Sequence, residues 1–248
     1  MNIQIHKTAA EMAQAAADKC AAILNSVLSQ KPTARLLLST GASQLPFFER
    51  LIKAPIDFSR IEMFHLDEYI GIDDTHPASF KKYLTERFVI PSKVDKAHLI
   101  DGLRPADETI DELTDLLAAA PIDLGLIGIG ENSHIAFNDP PADFDCEDTY
   151  KVVDLSDTCK AQQVREGWFA DMDSVPKQAL TMTCRQILKC ERIISIVPYA
   201  VKASTVYDTL TQDVNNTTPA TLLKTHADCS LMLDADSASM LFGGKLKL

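Results

Sequence analysis

No two of the six cysteines form a CxxC pair: Cys20, Cys146, Cys159, Cys184, Cys190 and Cys229 lie far apart and share no metal-ligand spacing with the six histidines. That excludes a zinc-ribbon or disulfide framework and predicts reduced, mostly buried thiols. Lys and Arg number 24 against 35 Asp and Glu, for a formal net charge of −11, and the basic residues form no cluster. A general nucleic-acid binder needs such a cluster to neutralise phosphates, so nucleic acid is not an expected partner. A small anionic ligand is still compatible, because two or three local cations and a few backbone amides suffice for it. No apolar run approaches the ~20 residues of a membrane span, and Met1 to Gln30 lacks the basic and apolar regions of a signal peptide. No membrane partner is expected, and the predicted location is the cytoplasm. Repeats, low-complexity tracts and linkers are absent as well. With 248 residues, 46% of them hydrophobic, the chain is long enough to bury a sizeable core and is read as one domain over 1–248.

What is present centres on the stretch from Leu124 to Pro141. Ile122 to Ile129 carries one charge, Asp123, and is otherwise aliphatic or Gly, which suits a strand buried on both faces of a parallel sheet. Gly128 and Gly130 then allow a sharp turn, and Glu131, Asn132, Ser133, His134, Asn138 and Asp139 follow. In open α/β sheets the carboxyl ends of strands are where ligands bind. His134 with Asp139 five residues on can form an oriented proton-transfer pair, the carboxylate fixing the tautomer.

The rest of the chain alternates strand and helix. Ile3 and Ile5 begin a strand, and Thr8 with Glu11 makes a capping box for a helix to about Gln30. Ala34 to Ser39 is a buried strand leading into Thr40-Gly41-Ala42-Ser43, a turn that opens a helix over Gln44 to Lys53. Strand, hydroxyl-bearing turn and helix start together can form an anion site. Ile61 to Leu66 is a strand ending in Asp67-Glu68-Tyr69, with one of the two acids expected to face the ligand edge. His76-Pro77 opens a helix to about Phe88, Pro105 to Ala119 is an acidic amphipathic helix, and Tyr150 to Leu155 is a strand. Ser156 or Asp157 caps the helix that follows. Ala179 to Thr183 and Glu191 to Val197 are strand-like, Val201 to Leu210 is a helix carrying Lys202 in its first turn, and Leu231 to Leu233 and Ser237 to Phe242 close the pattern. The alternation predicts an α/β fold whose central sheet is mostly parallel, with helices on both faces.

Taken together, STGAS at 39–43, FHLDEY at 64–69, HPASF at 76–80, GIGENSHIAFNDP at 128–140, VPKQAL at 175–180 and a Lys after the late strand resemble the glucosamine-6-phosphate deaminase/isomerase family. The resemblance implies a modified Rossmann-type sandwich and a cofactor-free reaction: glucosamine 6-phosphate or its galactosamine epimer and water give a ketohexose 6-phosphate and ammonia. By position, it implies that Asp67 carries the proton from C2 to C1, that His134 opens the ring, and that Asp139 orients His134. Thr40, Gly41, Ala42, Ser43 and Lys202 match the phosphate site. Three departures stand out. The family usually has Glu at the position of Asp139. Asn132 occupies a position where some members have an Asp that helps the proton transfer. The family's phosphate-binding Arg has two candidate counterparts, Arg165 and Arg185. The family's multimers make a homo-oligomer an expected partner beside the sugar phosphate. Two alternatives remain at this point: a 6-phosphogluconolactonase, whose usual motif is DER instead of DEY and which lacks HIAFN, and a non-catalytic sugar-phosphate-binding protein.

Overall fold

The computed structural model describes residues 1–242. In chain order its strands are β1 (Asn2–His6), β2 (Ala34–Leu38), β3 (Ile61–His65), β4 (Asp67–Tyr69), β5 (Lys96–His98), β6 (Leu124–Ile127), β7 (Tyr150–Asp154), β8 (Gln178–Met182), β9 (Ile193–Val197) and β10 (Cys229–Asp234). The helices are α1 (Ala9–Leu28), α2 (Leu45–Leu51), α3 (Phe80–Leu84), α4 (Ile90–Ser92), α5 (Ala106–Ala119), α6 (Asp157–Arg165), α7 (Cys184–Leu188) and α8 (Ala203–Thr211). Seven strands form a wholly parallel sheet in the order β1-β10-β9-β6-β2-β3-β5. The expected α/β sandwich is therefore present.

Its inner strands β2, β6, β9 and β10 are buried on both faces, so successive side chains feed two separate cores. Leu36, Leu38, Leu124, Leu126, Ile194 and Ile196 join α1, whose alanines at 13, 16 and 17 let the helix lie close to the sheet. Leu37, Ile127, Ile193 and Val197 point the other way, toward Leu113 and Leu117 of α5, Ile187 of α7 and Val206 of α8. The start of α1 follows from its cap: the Thr8 hydroxyl accepts the Glu11 N–H at 3.1 Å. Glu11 reaches back to the Lys7 N–H at 3.2 Å, one residue earlier than a regular capping box would have it.

The strand pattern leaves one feature unseen. DEY, read as the end of the strand before it, is a strand of its own, and β4, β8 and β7 form a separate antiparallel sheet in that order. Its β7 shows the half-exposed alternation of an antiparallel strand, with Val152 39% exposed between less exposed neighbours. Periodicity reports which faces are covered but not which way a neighbouring strand runs. Leu66 joins the two sheets: its N–H bonds to Leu38 O at 3.2 Å in the large one, and its carbonyl accepts the Met182 N–H at 2.7 Å in the small one. No helix among the described residues is long and apolar enough to cross a membrane.

Candidate active site

Loops leaving the carboxyl ends of β2, β3, β6 and β9 surround a cleft of about 470 Å³. Between β2 and β6 the strand order reverses, which opens a crevice at that edge of the sheet. Ser39 to Ser43 follow β2, Leu66 and Asp67 follow β3, Gly128 to Glu131 and His134 follow β6, and Tyr199, Val201 and Lys202 follow β9.

Asp67 is the first residue of β4, immediately past the seam at Leu66. It is 6% exposed, lines the cleft, and its carboxylate takes no hydrogen bond from any described residue. Burial, with the neighbouring Glu68 charge adding to it, pushes its carboxyl up to about 8. Glu68, the other acid of the pair, turns away from the cleft. Its carboxylate accepts the N–H groups of Tyr69, Phe80 and Lys81 at 2.9, 3.1 and 2.7 Å and the Ser79 hydroxyl at 2.9 Å. It thereby caps the start of α3 and fixes the wall that carries Ser79 and Phe80.

His134 is oriented from behind. Its Nδ1 lies 2.5 Å from Asn132 Oδ1 and 3.2 Å from Asp139 Oδ1, both acceptors, so Nδ1 carries the proton and Nε2 is left as the basic nitrogen. Asn132 Nδ2 donates to the same Asp139 oxygen at 3.1 Å, and the Ser156 hydroxyl donates to Oδ2 at 2.6 Å. Burial works against ionisation of Asp139, but the hydrogen bonds and charge of His134, with Ser156 and Asn132, outweigh it and hold the carboxyl at about 2. Ser156 also caps α6 by accepting the Cys159 N–H at 3.1 Å. Gly130 is required by a close approach: a Cβ there would run into the imidazole of His134.

At the other end the Thr40–Ser43 turn bends at Gly41, with φ 117°, a conformation that favours glycine. The Gly41 carbonyl accepts the Tyr83 hydroxyl at 2.8 Å and the Gln44 N–H at 3.0 Å. Lys202 lines the cleft, and its ammonium makes no hydrogen bond or ion pair among the described residues. Burial lowers its ammonium pKa, against the opposing pull of Glu131 and Glu166. A partly buried cation whose ammonium has no partner favours an anionic ligand.

The cleft therefore brings together Asp67, His134, Thr40, Gly41, Ala42, Ser43 and Lys202. Asn132 and Asp139 lie behind His134, outside the lining. Arg165 is at the rim, paired with the cleft residue Glu131 at 2.6 Å. Arg185, on the short helix α7 that follows β8, does not reach the cleft at all: it pairs with exposed Glu147 at 2.5 Å. Lys202 itself ends a short turn (Ala200–Lys202) ahead of α8 instead of sitting in that helix's first turn. His65 and His76 are structural. Burial pushes His65 down to about 3, and its Nε2 accepts the Ile100 N–H at 2.8 Å. His76 stacks on Phe169. Asn138 ties the loop to β8 through Met182 O at 2.9 Å.

Sequence reasoning misses several cleft residues. Gln162 comes from α6 and Glu166 from its C-cap, where Glu166 is held by Gln162 Nε2 at 2.7 Å and Trp168 Nε1 at 3.2 Å. Tyr83 and Tyr199 carry no motif signal. Among the described residues no group of His, Cys, Asp and Glu is placed to hold a metal ion.

Comparison with known proteins agrees with this architecture. A glucosamine-6-phosphate deaminase of Streptococcus pneumoniae is 31% identical over 205 residues, covering 82% of this chain and 86% of that one. The solved structure of a monomeric glucosamine-6-phosphate deaminase superposes with a TM-score of 0.87 at 29% identity, over 97% of this chain and 100% of that one. A 6-phosphogluconolactonase from Thermotoga maritima shares the fold, with a TM-score of 0.78 at 16% identity over 94% of this chain and 99% of that one. The profile of the family described as Glucosamine-6-phosphate isomerases/6-phosphogluconolactonase matches residues 7–232, and the chain belongs to that family.

Proposed function

We propose that this chain is an enzyme that converts glucosamine 6-phosphate and water to fructose 6-phosphate and ammonia. The observation that carries the reading is one cleft holding a carboxylate without a protein partner, Asp67, together with an imidazole whose Nδ1 is engaged, His134. In this reading the phosphate lies against Thr40 to Ser43 and Lys202, with Arg165 at the rim available once it leaves Glu131. His134 Nε2 takes the proton of the C1 hydroxyl and returns it to the ring oxygen, which opens the sugar. Asp67 then removes the C2 proton, leaving an enolamine, and redelivers it to C1. The resulting C2 iminium adds water and expels ammonia, so the carbonyl ends at C2. A carboxyl raised to about 8 is well matched to taking and giving back one proton near neutrality. Asp139 and Asn132 act by holding the imidazole, and a phosphorylated sugar substrate agrees with work in the cytoplasm.

The lactonase reading has less support. Tyr69, where the lactonase motif has Arg, is fully buried among Phe80, Phe137 and Phe169, and offers the cleft no cation. The test is direct: purified protein, without added cofactor, is expected to release ammonia and fructose 6-phosphate in equal amounts from glucosamine 6-phosphate. Galactosamine 6-phosphate and 6-phosphogluconolactone are assayed in parallel. Lactone hydrolysis without ammonia release would overturn the proposal.

A further inference from the structure

Tyr199 has a backbone conformation that its side chain opposes. It follows β9 and Pro198 with φ 79° and ψ 148°, a region essentially reserved for glycine. Such a residue persists only where its surroundings over-determine it. Here they do. The Tyr199 N–H lies 3.1 Å from each carboxylate oxygen of Asp234, a residue 2% exposed at the end of β10. Asp234 is itself fixed, since its Oδ1 accepts the Ser237 N–H at 2.8 Å. On the other side, the Tyr199 carbonyl accepts the Lys202 N–H at 3.0 Å. The short turn that presents Lys202 thus hangs from the strained residue.

Glycine would hold this turn without strain, so the turn alone does not account for a tyrosine. The position of the side chain suggests what does. Tyr199 and Ser43 line both the cleft and a shallow depression beyond it, whose other walls include Met12, Pro46 and Phe47. They are the partition between the two spaces. The partition stands at the end of the cleft that carries Lys202 and the Thr40–Ser43 turn.

We propose that Tyr199 is a specificity-determining residue that closes the anion end of the cleft to anything longer than a terminal phosphomonoester, and that Asp234 is the positioning residue that holds it there. This rests on reading Lys202 and Thr40–Ser43 as the phosphate site. The side chain, 38% exposed, has two effects. It screens one side of the ammonium and its anion from water, which strengthens their attraction, and it walls the direction in which a second ester group on phosphorus would have to continue.

The experiment measures binding of glucose 6-phosphate and of its methyl phosphodiester by calorimetry, with no turnover required. Tyr199→Gly is expected to fold, because glycine suits the conformation, to bind the monoester about tenfold more weakly, and to bind the diester as well as or better than wild type. Charge alone disfavours the diester in both proteins, so the readout is the change in the monoester-to-diester ratio. Tyr199→Phe keeps the ring and should retain the wild-type ratio. Asp234→Ala should lower the ratio in the wild-type background and change it little in Tyr199→Gly, where no clamp is needed; Asp234→Asn, which keeps an acceptor, serves if the alanine variant does not fold. An unchanged ratio in Tyr199→Gly, or no monoester binding by wild type, overturns the inference. Normal binding with no ammonia released from glucosamine 6-phosphate instead overturns the proposed function and leaves the inference standing.

Discussion

Asn132 and Asp139 hold His134 as one unit: the Asn132 amide donates to the carboxylate oxygen at 3.1 Å while its own oxygen meets the same imidazole nitrogen that the carboxylate reaches at 3.2 Å. The two side chains suit each other. The short Asp139 side chain leaves a gap that an amide fills, and an amide, unlike a carboxylate, can donate to Asp139.

The pair should therefore be coupled. Asn132→Asp sets two carboxylates against each other and is expected to lower kcat by about tenfold or more. Adding Asp139→Glu, which lengthens the reach and lets the second acid move away, should recover part of that loss. Steady-state kinetics of the two single variants and the double variant check this; additive losses would mean that the two residues act separately.

Asp67 links activity to stability. With its carboxyl raised to about 8, kcat/KM should rise with pH through that value instead of levelling near the ordinary carboxyl pKa of about 4. The folded chain keeps a proton that the unfolded chain has already released. Between about pH 4 and pH 8 the native state thus binds more protons than the unfolded one, and stability falls as pH rises. Asp67→Asn removes both effects: turnover should drop by about a thousandfold, while Tm at pH 8 should rise by about 5 °C, a gain that fades toward pH 4. A Tm equal to wild type at pH 8 would mean that the side chain ionises near its ordinary value.

Gly130 is a packing requirement of the imidazole. Gly130→Ala puts a methyl group where His134 stands, so the ring must rotate off its Asn132 and Asp139 acceptors. Turnover is expected to fall by about a hundredfold, while the far-ultraviolet circular dichroism spectrum remains that of wild type. Wild-type kcat in this variant would show that the ring has room to move and still work.

The cations separate by position. Lys202→Met should raise KM for the sugar phosphate by about tenfold or more, with a smaller effect on kcat, and make KM less sensitive to salt. Arg185→Ala, which loses only an exposed pair with Glu147, should change neither parameter and Tm by about 1 °C or less. A KM effect at Arg185 would require α7 to approach the cleft in solution.

How far the sequence reveals this site depends on what each residue's role rests on. His134 and Asp67 are legible through the motifs that surround them, GIGENSHIAFNDP and FHLDEY; an imidazole or an acid at a strand end is as readily structural by itself, as His65 and Glu68 are here. Gly41 and Gly130 are legible as turn residues at strand ends. The direction of a strand is not written in its periodicity, so the separate antiparallel sheet of β4, β8 and β7 does not show in the pattern. Arg185 looks like a phosphate ligand only while the side of the sheet that α7 occupies is unknown. Glu68 reads as the equal of Asp67, and only the register of β4 against β8 decides which of the two faces inward. Tyr199 is the hardest case. Nothing in a tyrosine announces a positive φ, because the conformation is imposed by Asp234, 35 residues away in the chain.

Leu66, with a hydrogen bond in each sheet, makes the direction of the proposed base a property of how two rigid blocks meet. Tyr150 reinforces the joint from β7, its hydroxyl donating to the His65 carbonyl at 2.7 Å. A loop-borne acid could drift without disturbing the frame beneath it. Here a small rotation of one block against the other would swing Asp67 as a lever, so alterations to the joint, well away from any ligand, should register first as misaimed chemistry.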